Sequence, residues 1–134
     1  MRDKPLILVV DDEEFLRDIV STKLNVSGFD AITAANAVGA VETTREKMPD
    51  LVLMDIHMPP GNSGTDAALE IRQSPELRDI RIAFLSNLKD PWPRTTPARN
   101  SVARALGVED FIDKTGDLDL LVAKIREILS RPRK

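Results

Sequence analysis

No cysteine occurs in the sequence, which excludes disulfides, thiol catalysis and cysteine-ligated zinc. Histidine occurs once, at His57, poorly placed to pair with a serine nucleophile. There is no Gly-x-x-x-x-Gly-Lys-Ser/Thr run, so the chain carries no P-loop nucleotide site, and no Gly-x-Gly-x-x-Gly follows the first strand. Long apolar stretches are missing too. After Met1-Arg2-Asp3-Lys4-Pro5 come only five apolar residues, too few for a signal-peptide core or a membrane span. Net charge is small, at −3. The only basic cluster is Arg131, Arg133 and Lys134, which a solvated tail or a linker explains as well as a binding patch does. Direct nucleic-acid binding and membrane insertion are therefore not expected.

What remains is an ordinary globular composition, 42% hydrophobic and 31% charged over 134 residues. One domain is expected, large enough to bury a core without staples. Leu6-Ile7-Leu8-Val9-Val10 reads as a strand buried on both faces. Residues 13–26 switch to helical period, with Leu16, Ile19, Val20 and Leu24 on one face, and Gly28 ends the helix. A second strand is expected at 29–33 and a second helix at 36–46, with Val38 and Val41 inward. Leu51-Val52-Leu53-Met54 is another buried strand. Met58 to Gly64 must be a loop, and 65–73 a helix burying Ala67, Ala68 and Ile71. Strands at 80–85 and 110–112 follow. The last helix buries Leu118, Leu121, Val122, Ile125 and Leu129. Residues 87–97 hold Pro91, Pro93 and Pro97 and read as loop, with a short helix only after Pro97. Five strands alternating with helices predict an α/β fold, a parallel sheet covered on both faces.

In such a sheet, ligands bind beyond the carboxyl ends of the strands. Asp11 and Asp12 follow the first strand, Asp55 the third, Ser86 the fourth and Lys114 the fifth. Each has a plainer reading: Asp11 or Asp12 as a helix cap, Asp55 or Ser86 in a turn, Lys114 on a solvated surface. Their joint placement is the stronger signal. Three carboxylates on one rim repel each other, and a hard divalent cation such as Mg²⁺ would offset that field. A carboxylate held there can attack phosphorus to give an aspartyl phosphate, with Ser86 and Lys114 clamping phosphoryl oxygens.

The stretches Ile7-Leu8-Val9-Val10-Asp11-Asp12-Glu13, Leu53-Met54-Asp55-Ile56-His57-Met58-Pro59, Ser86, and Asp110-Phe111-Ile112-Asp113-Lys114 resemble a response-regulator receiver domain of two-component signalling, of the single-domain, chemotaxis-regulator-like kind. The resemblance implies a flavodoxin-like sheet of order 2-1-3-4-5, with a receiver over residues 5–130 and a short basic tail at 131–134. It implies that Asp55 accepts a phosphoryl group from a histidine kinase or histidine phosphotransfer protein, in the cytoplasm. Asp12 would ligate Mg²⁺ directly, Asp11 through water, and the backbone carbonyl of His57 would be a further ligand. Ser86 would move toward the phosphoryl group, Lys114 would pair with it, and Phe111 would turn inward as an aromatic switch. As a bare residue, Phe111 is equally a core aromatic. The result is a signalling switch acting on an unknown downstream protein rather than an enzyme in the ordinary sense.

Other functions fit less well. A receiver-like interaction module without phosphorylation leaves the full acidic set unexplained. A phosphatase of the haloacid dehalogenase type needs an Asp-x-Asp pair, which Met54-Asp55-Ile56-His57 lacks. A flavodoxin-like cofactor carrier would set an acidic rim against an FMN phosphate.

The sequence departs from the family pattern in four places. The Pro59–Gly64 loop is longer. Thr115 replaces the proline after the conserved lysine, and a cis bond before a residue other than proline costs about 2.5–4 kcal/mol, so a trans turn is expected. Ser86 and Lys114 stand 28 positions apart, more than is usual. That insertion carries Trp92, read as a partner contact, an intramolecular cover or a plain insertion. Finally, Asn87 stands where a small residue is common in the family, and it would narrow the approach of water. Asn87→Ala should therefore shorten the lifetime of the phosphorylated protein. Equal half-lives of the two phosphoproteins would refute this.

Overall fold

The computed structural model of the chain describes residues 3–56, 58, 63–86, 107–113 and 116–132. His57, Asn87, Trp92, Lys114 and Thr115, and the short helix expected after Pro97, lie outside them.

The described elements are β1 (Leu6–Val10), α1 (Glu14–Val26), β2 (Asp30–Ala34), α2 (Ala37–Lys47), β3 (Leu51–Asp55), α3 (Ser63–Gln73), β4 (Arg81–Ser86), β5 (Asp110–Asp113) and α4 (Leu118–Ser130). All strand pairs are parallel, in the order β2-β1-β3-β4-β5. This is the expected sheet. The central strands β1 and β3 are apolar because both their faces are covered. β2 lies at an edge and is only partly buried, which explains its mixed sequence.

Side chains alternate across the sheet and so divide the core in two. Leu8, Val10, Val52, Met54, Ile82 and Phe84 pack on one face against Ala40 and Val41 of α2 and Ala67, Ala68 and Ile71 of α3. Ile7, Val9, Leu51, Leu53, Ala83 and Leu85 pack on the other against Val20 and Leu24 of α1 and Leu121, Val122, Ile125 and Ile128 of α4. Val38 is not inward as expected: it is 68% exposed. The buried face of α2 is Ala40, Val41 and Thr44. Thr44 can be buried because its hydroxyl donates to the Ala40 carbonyl at 2.7 Å. Met48 caps α2 in the left-handed conformation at φ 50°, a role glycine fills more easily.

The helix N-cap before α1 falls on Glu13, which makes no side-chain cap bond. Neither Asp11 nor Asp12 occupies that position, although the Asp11 carboxylate accepts the Glu13 amide at 2.9 Å.

α1 and α4 are joined at the surface by Lys23 and Asp119, 2.5 Å apart. The Lys23 hydrogen bond, then its charge, hold the Asp119 carboxyl below the usual range. Its stabilising effect is therefore present above the ordinary aspartate range and lost as pH falls, and a pair this exposed contributes little.

Arg81 is the one charge in an otherwise apolar strand. It is buried because the end of α4 gives it partners. Its guanidinium donates to the carbonyls of Ile128 and Arg131, and the Glu109 carboxylate lies 3.9 Å away. A cation at a helix C-terminus is favoured by the helix dipole. Arg131 donates to the Glu109 carbonyl at 2.8 Å and to the Glu127 carboxylate at 2.7 Å. Arg81→Met keeps the buried stem and removes the charge-assisted bonds, so it should cost about 2 kcal/mol of stability. Urea unfolding checks this, and an unchanged midpoint would count against the bonds as a stabilising clamp.

Candidate functional site

The site follows from the strand register. Val10 of β1 pairs with Met54 of β3, so the next residues, Asp11 and Asp55, emerge side by side. Asp55 is opposite Leu85 in β4, so the backbone of Ser86 lies one residue further along the same rim. Ser86 in turn pairs with Asp113 of β5. The structure thus brings Asp11, Asp12 and Asp55 together and sets the Ser86 backbone beside them.

One carboxylate oxygen from each of Asp11, Asp12 and Asp55 lies within 4.8 Å of the others. Asp11 and Asp55 are buried and Asp12 is exposed. Two unit charges about 5 Å apart repel by roughly 3 kcal/mol at an effective dielectric near 20, a repulsion that a cation between them would offset. The donor set is all oxygen, which suits a hard cation. The exposure of Asp12 leaves one side open to water and to an incoming group. The residues present therefore fit Mg²⁺.

Asp11 is held firmly. Its amide donates to Ala34 at 3.2 Å, its carboxylate takes the Glu13 amide, and its carbonyl accepts from Arg17 at 2.8 Å. Asp55 is packed from the other side by α3. The Gly64 amide donates to the Ile56 carbonyl at 3.3 Å. A Cβ at Gly64 would land on the Asp55 carbonyl oxygen and within 2.9 Å of Asp55 C and Ile56 Cα. In the sequence Gly64 reads only as a loop residue, and nothing there marks Arg17 as part of the site. A dense Pro-Gly-Asn-Ser-Gly run signals a turn but not how closely the chain returns to the strand.

Phe111 is half-buried on β5. It pairs in register with Phe84, the two ring centroids 5.6 Å apart and tilted by 45°.

The family model for the response regulator receiver domain matches residues 7–126. A probable transcriptional regulator, ycf27, of Guillardia theta is 33% identical over 134 residues, 100% of this chain and 49% of that protein. The phosphate regulon transcriptional regulatory protein PhoB of Escherichia coli K12 is 31% identical over 125 residues, 93% of this chain and 52% of that protein. The chain spans about half the length of the curated relatives it matches. The fold is shared with chemotaxis protein CheY4 of Vibrio cholerae, at TM-score 0.81 and 22% identity over 93% of this chain and 98% of that one. The N-terminal domain of a response regulator receiver protein from Methanoculleus marisnigri JR1 has TM-score 0.73 and 31% identity, over 96% and 98%.

Gly64→Ala should push α3 off the Asp55 backbone. A loss of about 1–3 kcal/mol is expected from the overpacking, read by thermal or urea unfolding. An alanine variant as stable as wild type would show that the close approach is not required.

Proposed function

The chain belongs to the response regulator receiver domain family, and from that premise we propose that it is a phosphorylation-dependent switch whose phosphoryl acceptor is Asp55. The observation that carries this is the convergence of Asp11, Asp12 and Asp55 at neighbouring strand ends. Asp55 is the member that ends β3, and its oxygen would form the new bond to phosphorus as the donor's bond to phosphorus breaks. The donor is a histidine kinase or histidine phosphotransfer protein, consistent with the family.

Asp11, Asp12 and Asp55, with the backbone carbonyl of His57, would hold Mg²⁺, which when bound supplies positive charge against the carboxylates and the phosphoryl oxygens. Asp11 contributes from a position fixed at amide, carbonyl and carboxylate. Asp12 contributes from the solvent side. Ser86 and Lys114 complete the proposed set as the groups that take phosphoryl oxygens once transfer has occurred. Phe111, packed at a tilt against Phe84 of the neighbouring strand, is the proposed reporter of that change. The outcome is a population shift between two states of the domain.

Residues 5–130 are taken as the receiver and 131–134 as a short basic tail. The domain signals through a protein partner, with no direct nucleic-acid contact of its own, although similar proteins are named as transcriptional regulators. A cytoplasmic setting is proposed, and none of the described helices is long and apolar enough to cross a membrane.

Incubation with Mg²⁺ and acetyl phosphate should add the mass of one phosphoryl group to the wild type, and Asp55→Asn should add none. Intact-protein mass spectrometry reads both. A wild type that stays unmodified, or an asparagine variant that is modified equally, would defeat the assignment.

A further inference from the structure

Arg17 lies outside the acidic cluster yet bears on its shape. It stands in the first turn of α1, where the helix dipole disfavours a cation. Its half-buried side chain turns back and donates from Nη1 to the Asp11 carbonyl at 2.8 Å. The three carboxylates offer a field that offsets its unfavourable place on the helix.

The consequence falls on Asp12. Among the described residues, no hydrogen bond or ion pair holds the Asp12 side chain. Its carboxylate is exposed and depends on the backbone for its direction. That backbone begins with the planar Asp11–Asp12 peptide, whose carbonyl is the atom Arg17 grips. The Asp11 amide and carboxylate are fixed independently, by Ala34 and Glu13. The Arg17 bond therefore restrains what those two contacts leave able to rotate.

We infer that Arg17 is a positioning residue: its bond to the Asp11 carbonyl sets the Asp11–Asp12 peptide and holds the Asp12 carboxylate toward the buried Asp11–Asp55 pair for a divalent cation. This rests on the reading of that cluster as a divalent-cation site. Two effects of Arg17 oppose each other there. Its charge repels a cation, and its hydrogen bond orders the ligands. Removing the charge alone would tighten cation binding, whereas removing the order weakens it. The sign of the change separates the two.

The experiment is Mg²⁺ titration of the full chain by calorimetry at fixed ionic strength. Wild type is compared with Arg17→Gln, Arg17→Met and Asp12→Asn, with circular dichroism reporting folding. Arg17→Met keeps the aliphatic stem and serves if the glutamine variant does not fold. The expected result is Mg²⁺ binding by wild type, its loss in Asp12→Asn, and about tenfold weaker binding in the Arg17 variants, the effect typical of groups that orient metal ligands. In acetyl phosphate labelling, the Arg17 variants should need correspondingly more Mg²⁺ and reach the wild-type rate at saturation. Equal or tighter Mg²⁺ affinity in a folded Arg17 variant overturns the inference. A wild type that binds no Mg²⁺, or an Asp12→Asn variant that binds it normally, defeats the cation-site reading itself, and the Arg17 inference with it.

Discussion

The parallel pairing of β1 with β3 sets Val10 beside Met54, and the next residue on each strand is an aspartate. That register brings two buried carboxylates to within 4.8 Å of each other at the carboxyl ends of the strands. The described contacts beside them act on that approach. The strands beneath are wholly apolar and cannot yield, because a shift of one residue would turn each side chain to the opposite face. The repulsion is therefore met locally rather than by moving the strands apart, as where the Glu13 amide donates to the Asp11 carboxylate.

The local devices act mostly through the backbone. The Glu13 amide reaches the Asp11 carboxylate, and Arg17 reaches the Asp11 carbonyl. Gly64 lets α3 close directly onto the Asp55 peptide. These contacts fix where the carboxylates start from. Packing from both helical layers supplies the rigidity behind them. α3 presses on Asp55 from one face, while α1 carries Arg17 on the other.

Much of this was legible in the sequence because buried parallel strands are written as short apolar runs. β1 and β3 announce themselves, and each ends at an aspartate, so the acidic trio could be read without coordinates. α4 was legible from its period, although Ile128 rather than Leu129 completes the fully buried stripe. Val38 misled because α2 buries small residues. Alanine marks a helix face weakly, and the hydroxyl of Thr44 conceals a buried position. Arg81 showed only as a charge in an apolar strand; the carbonyls it donates to lie 47 and 50 residues away, and no local pattern records them. Gly64 and Arg17 were missed for a related reason. Their roles are contacts to backbone atoms, which leave no signature in side-chain chemistry.

A parallel sheet also separates stabilisation from chemistry in space. All the strand C-termini share one rim, and the like charges gather there. The opposite rim carries compensating pairs instead. The Asp50 carboxylate accepts the Leu6 amide at 2.7 Å, the Asp30 amide donates to the Pro5 carbonyl at 2.9 Å, and Arg81 closes the end of α4. Interactions at that rim involve opposite or complementary groups and hold the layers together. At the rim of the strand C-termini, repulsion between Asp11 and Asp55 works against the folded state. Binding a cation there would stabilise the fold and prepare the carboxylates by the same contact. Cation affinity at that cluster and stability of the domain would then be two readings of one electrostatic balance.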